Sequence, residues 1–222
     1  MTNPWFALPP SPDYVLPGDR STIERHNTVV RNTDYAFVLD LLPEPFLGPK
    51  DPRVVMLNLN PGFAESDYTA HTNQAFSIAA RETLLHSRKE WPMYLLDPRF
   101  QWASGAMWWR SRLRRLAEAV GDWQPVGHHL LVVEMFGYHS RRFRRPQGIL
   151  PSVAYGAELV SSAMRRDVPI VIMRARRQWL ELVPGLGHYQ HLHQLSNPRS
   201  PYVSRKSCAG FFDDLADSLR GA

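Results

Sequence analysis

The sequence predicts an α/β fold, a three-layer α/β/α sandwich around a short, mostly parallel central sheet. Three observations point there. The runs 53–59, 129–136 and 168–175 are short, rich in Val, Ile and Leu, and lack polar alternation, which is the pattern of strands buried on both faces. Between them apolar residues recur at helical spacing: Trp109, Leu113, Leu116 and Val120, then Val153, Ala157, Val160 and Met164. Strands alternating with helices build parallel βαβ units, whose helices cover both faces of the sheet.

Taken in order, residues 1–20 carry five prolines and read as an extended N-terminal arm, with 21–222 as one domain. The stretch 21–47 alternates at helical spacing and ends near Pro43 and Pro45. The first strand run follows, then the helix around 109–120 and the second strand run. Pro151-Ser152 then provides a start for the helix at 153–164. The third run is followed by a weaker fourth at 191–196, and Phe211, Leu215 and Leu219 share one face of a terminal helix. In such folds ligands bind beyond the carboxyl ends of the strands, so the loops 60–77, 134–147, 174–179 and 196–207 are the places to look.

Composition narrows the function. A chain of 222 residues can bury one sizeable core. The net charge of +5 rests mainly on arginine clusters at 110–115, 141–145 and 174–177, and points to an anionic partner, DNA foremost. The bland reading of each cluster is a solvated face. Cys208 is the single cysteine, so neither a disulfide framework nor a four-cysteine zinc or iron–sulfur cluster can form, and a reducing compartment is expected. No signal-like segment and no long apolar run occurs, so a cytoplasmic monomer with no membrane contact is expected. His128-His129 and His191-x-His193 lack a supporting third ligand, and no metal or other cofactor is expected. Phosphate-loop, dinucleotide and nucleophile-elbow motifs are all missing.

The first strand runs into a sharp break, VVMLNLNPGFAESD, at Asn60-Pro61-Gly62, and the segment after the last strand reads LSNPRSPYVSRKSCAGFFDDL. Together these resemble the two motifs of the uracil-DNA glycosylase superfamily, closest to its mismatch-specific and single-strand-selective branches, with strand order matching over roughly residues 50–220. The resemblance implies that Asn60 orients the water that attacks the sugar and that Asn197 opens the second catalytic motif. Gly62 lets the backbone approach a flipped base, and Phe76 supplies its aromatic platform, with Phe63 and Tyr68 as alternates. Tyr202 or Val203 would fill the gap the base leaves, while Arg199, Ser200, Ser204, Arg205 and Lys206 would hold the DNA backbone, assisted by Arg141 and Arg142. The structural alternative for Asn60 is a turn residue satisfying its own backbone, and for Ser204 an ordinary helix start.

The departures from the family are informative. Asn58 stands where the first motif usually begins with glycine, and Asn197 replaces the histidine of the strongest uracil enzymes. Glu134 ends the middle strand where uracil-specific members carry an asparagine that reads the base. An ionised carboxylate only accepts hydrogen bonds, so it would repel uracil O4 but accept from cytosine N4. The alternative is a carboxylate paired with an arginine of 141–145. The loop 138–147, with His139, Arg141 and Arg142, would take a bulky hydroxylated substituent.

The leading expectation is a monofunctional DNA glycosylase acting on a modified cytosine, of the kind that removes glucosylated hydroxymethylcytosine from phage DNA. A uracil or mismatch glycosylase in repair and an idle nucleic-acid-binding domain are the competing readings. The enzyme readings require Asn60 and Asn197 to converge on one cleft, with an aromatic platform and Glu134 within reach of a base edge.

Overall fold

Burial decides where the sheet forms. The computed structural model describes residues 1–221. A single 3₁₀ turn at Pro4–Ala7 precedes α1 (Arg20–Val29), β1 (Phe46–Leu47) and β2 (Val54–Asn58). Four helices follow: α2 (Ser66–Thr72), α3 (Gln74–Leu84), α4 (Ser104–Val120) and α5 (Trp123–His129). The chain continues through β3 (Leu130–Glu134), α6 (Val153–Met164), β4 (Ile170–Ile172), α7 (Arg176–Leu182), β5 (Leu192–Gln194) and α8 (Phe212–Arg220).

The five strands form one sheet in the order β1-β3-β2-β4-β5. Only β1 runs antiparallel to its neighbour; β3, β2, β4 and β5 are parallel. The sheet is the middle layer of an α/β/α sandwich, and every residue of β2, β3 and β4 is buried. That double coverage is why these strands read as unbroken apolar runs. The β2–β3 register sets Asn58 directly beside Glu134, so two polar side chains emerge as neighbours where both strands end.

Three sequence expectations are corrected. The proline-rich arm is not free: Trp5, Leu8, Val15 and Leu16 are buried in the main core, and Asn3 Nδ2 donates to the Leu84 carbonyl at 2.8 Å. Prolines stopped it becoming a long helix without stopping its apolar side chains from docking. The helical pattern over 21–47 stops at Val29, and the chain then runs irregularly to β1, pinned by a bridge between Val38 and His139. The 168–175 run contributes only Ile170–Ile172 as strand, because Pro169 has no amide to donate and Ala175 takes a left-handed conformation at φ +58°.

A polar cavity at the strand ends

Beyond the carboxyl ends of β2 and β3 lies a cavity of about 510 Å³. Asn58 Nδ2 donates to Glu134 Oε1 at 2.9 Å, and the Asn58 carbonyl accepts from Trp179 Nε1 at 2.8 Å. Trp179 lies on α7, so a helix from beyond β4 fixes the last residue of β2. Glu134 and Asn58 are each 4% exposed, yet Glu134 Oε2 and Asn58 Oδ1 have no partner in the protein. Burial pushes the Glu134 carboxyl up to about 8; the bond from Asn58 and the charge of Arg174 oppose this, while Glu44 adds to it. At neutral pH Glu134 is therefore mainly the carboxylic acid, able to donate as well as accept.

The Asn-Pro-Gly turn forms the next part of the wall. Asn60 Nδ2 donates to the Pro61 carbonyl at 2.8 Å and to Ser140 Oγ at 3.0 Å. Both amide protons are engaged, which fixes the amide orientation and leaves Oδ1 as a bare acceptor. The turn reading of Asn60 is thus true of its nitrogen and leaves its oxygen unaccounted for.

The remaining wall is built by α2, α3, α4 and the segment before β1. Glu44 accepts a hydrogen bond from the Tyr94 hydroxyl, and burial raises its carboxyl against the opposing influence of His139 and that bond. Asp67 accepts from Ser104 Oγ through one oxygen and from the Ala64 amide at 2.7 Å through the other. His71 bonds through Nδ1 to the Asp67 carbonyl at 2.9 Å, and its buried Nε2 has no partner. Burial first, and the nearby His139 second, lower this imidazole to about 4.

Phe76 lines the cavity and is held edge-on by Tyr94 and Phe100, with ring centroids 5.1 and 5.3 Å away. Its backbone amide donates at 3.1 Å to Oδ1 of Asn73, the N-cap of α3, so the ring is anchored at a helix start. Phe63 also lines the cavity, half-buried, with the Arg141 guanidinium 4.9 Å above it. Gly62 is exposed at the rim, where an added Cβ would meet nothing within 4 Å.

Other expected residues have different surroundings. His139 lines the cavity, but its Nδ1 faces the Gly62 carbonyl at 2.7 Å and its Nε2 the Leu42 carbonyl at 3.0 Å. It clamps three chain segments together and has no nitrogen left for a substituent. Arg141 pairs with Glu65 and Arg142 with Asp34, so neither neutralises Glu134; its partner is Asn58.

Asn197 does not line the cavity. It is exposed on the loop after β5, at the same end of the sheet, where its Oδ1 accepts from the Arg199 and Ser200 amides. The expected convergence of Asn60 and Asn197 on one cleft is therefore not found. Val203 is fully buried and cannot enter DNA, whereas Tyr202 is 41% exposed. Arg112 lies 4.2 Å over Tyr202 and 4.8 Å over Trp108, and Trp108 lines the cavity, so this stack joins the second loop to the cavity wall. Ser204 bonds to Ser207 within a turn that ends before α8 begins at Phe212, so it is not the helix start named as its alternative, and Arg205 pairs with Asp213. Arg199, Ser200 and Lys206 are exposed.

Sequence reasoning missed Glu44, His71, Ser104, Trp108 and Arg174, all in the cavity wall. His71 had a signal, because it follows Asp67 by four residues within a loop region the fold class singles out. Glu44 stands between two prolines just before a strand, a weaker one. Among the described residues no cluster of three or more His, Cys, Asp or Glu could hold a metal ion, and no helix is long and apolar enough to cross a membrane. No family profile, curated protein or solved structure matches this chain.

Proposed function

We propose that the chain is a DNA glycosylase that receives a flipped, modified cytosine in this cavity and hydrolyses its N-glycosidic bond. One observation carries the reading: two adjacent buried polar atoms, Asn58 Oδ1 and Glu134 Oε2, lack partners beside a cavity. A buried polar group without a partner costs about 1–3 kcal/mol, which a ligand can recover. The pair presents one acceptor and, with Glu134 protonated, one donor. Cytosine N4–H would donate to Asn58 Oδ1 while N3 accepts from Glu134 Oε2–H. The earlier expectation of an ionised carboxylate is replaced by a neutral acid, and the cytosine edge remains complementary to the pair in this new form.

Size supports a base larger than cytosine itself. Even at the ~30 Å³ that one water takes up in the liquid, the eight heavy atoms of cytosine need about 240 Å³. That is under half of the 510 Å³ cavity, which leaves space for a hydroxymethyl substituent on the base, with a glucose attached to it extending toward the rim. Phage DNA carrying such bases is the substrate this reading favours, with defence as the role.

In the reaction the C1′–N1 bond breaks and its electron pair stays with the base. A proton held between Glu134 and N3 steadies the negative charge that develops there. Water adds to C1′ of the cationic sugar, oriented by its hydrogen bond to Asn60 Oδ1. The products are free base and an abasic site.

A uracil substrate is a second reading, favoured by the same acid. Neutral Glu134 can donate to O4, and N3–H can donate to Asn58 Oδ1, so the repulsion expected of a carboxylate disappears.

The test is excision from DNA containing glucosylated hydroxymethylcytosine, plain cytosine or uracil, scored as abasic sites, with Asn60→Ala alongside. Abasic sites from the glucosylated DNA alone, reduced by roughly 100-fold or more in the variant, are expected. Excision of uracil instead would move the protein to repair, and no excision of any base would leave DNA binding without catalysis.

A further inference from the structure

The attacking water must lose a proton, and Asn60 cannot take it, because an amide is not a base at any physiological pH. The cavity wall offers five carboxyl and imidazole side chains, Glu44, Asp67, His71, Glu134 and His139. Asp67 has one oxygen bonded to Ser104 and the other to the Ala64 amide. Glu44 accepts from Tyr94, and burial favours its neutral form. Glu134 is held mainly as the acid by burial. His139 faces a carbonyl oxygen with each nitrogen. Only His71 combines an unengaged nitrogen with a neutral ring: the bond at 2.9 Å to the Asp67 carbonyl needs a proton on Nδ1, which leaves the lone pair on Nε2.

We infer that His71, through Nε2, accepts the proton of the attacking water as its oxygen bonds to C1′, an inference that rests on the glycosylase reading. The balance closes. The water's O–H bond breaks as its oxygen gains the C1′ bond, the proton passes to Nε2, and imidazolium later releases it to solvent. The electron pair of the glycosidic bond leaves with the base.

A weak base is sufficient here. Water attacking a cationic sugar becomes strongly acidic as the new bond forms, so its proton flows even to a poor acceptor. The titratable groups that face His71 are Asp67 on its own helix and His139 from the loop after β3; Phe76 packs edge-on at 5.3 Å. With the imidazole lowered to about 4, the lone pair remains available well below the pH at which an ordinary histidine protonates.

The experiment is a single-turnover pH–rate profile on whichever DNA of the panel the wild type excises, compared with His71→Gln. The glutamine amide can still donate to the Asp67 carbonyl but cannot accept a proton. The wild-type rate should hold from neutral pH down to about 5 and fall near 4. The variant should be slower by roughly 100-fold or more, without that acid limb. Its affinity for abasic product DNA should change less than about twofold, which a merely structural loss would not spare. A variant with wild-type rate and profile would overturn the role of His71 while leaving the glycosylase reading standing. A wild type that excises nothing would overturn both. If His71→Gln does not fold, ¹⁵N NMR of the wild type decides: the inference requires the Nδ1–H tautomer at pH 7, and an Nε2–H tautomer overturns it.

Discussion

Glu134 carries the most consequential proton in the molecule. Its carboxyl moves from an ordinary value of 4.5 to about 8 on folding, mainly through burial. Between those values the unfolded chain ionises this group while the folded chain holds its proton. The associated stability is fully present below about pH 4.5 and is lost as pH rises toward 8, at about 1.4 kcal/mol per unit. Glu134→Gln removes the titration, so the fall in melting temperature between pH 5 and pH 8 should shrink markedly in the variant. An unchanged fall, followed by circular dichroism, would show that Glu134 ionises normally. The position of this residue was legible in the sequence, because LLVVE ends a buried strand with a charge. Its partner and its protonation were not. The first depends on which residue of β2 the sheet register sets opposite, and the second on burial, and both are properties of the assembled core. The same holds for Asn60: its place at a strand end could be read directly, while the engagement of Nδ2 by Ser140, eighty residues away, could not.

At the scale of elements, the site is held by parts that do not touch a substrate. Helix α7 fastens the end of β2 through the indole of Trp179, whose Nε1 donates to the Asn58 carbonyl. Trp179→Phe keeps most of the buried ring and deletes that bond, leaving a buried carbonyl without its donor. The loss should be about 1–3 kcal/mol, read as a lower denaturation midpoint at unchanged m. Because the proposed reading sets Asn58 against the base edge, apparent affinity for the base should weaken alongside on that reading. A variant with a wild-type midpoint would mean that water replaces the indole. The strands β2 and β3 were legible because each is buried on both faces and needs no partner to be recognised as apolar. Helices α2 and α3 were not, since 66–84 mixes polar and small residues, and α3 is held by the Asn73 cap and the Phe76 aromatic cluster. The arm failed for a related reason: proline content describes backbone freedom, while docking was decided by Trp5 and Leu16.

For the whole molecule, charge distribution says more than net charge. Many arginines on the outer helices have acidic partners: Arg20 with Glu24, Arg115 with Glu118, Arg165 with Glu158, Arg177 with Glu181 and Arg220 with Asp217. Of these, Arg115 and Arg177 belong to the arginine clusters whose bland reading was a solvated face, and each such exposed pair adds little to stability. The loops at the carboxyl end of the sheet differ. Arg144, Arg145, Arg199 and Lys206 are exposed there and make no ion pair among the described residues. A partner with regularly spaced negative charge would meet them at the same end as the cavity. Each phosphate neutralised contributes a slope of about −0.9 to the dependence of log affinity on log salt concentration for duplex DNA. Four such contacts give about −3.6 on that scale, and the double variant Arg199→Ser, Lys206→Ser should lower it to about −1.8. Fluorescence anisotropy of a labelled duplex, titrated between about 50 and 200 mM salt, measures both slopes. A double variant that keeps the wild-type slope would remove the 196–207 loop from the proposed DNA interface, and would leave Arg144 and Arg145 as the only unpaired cations of the four on which DNA binding could rest.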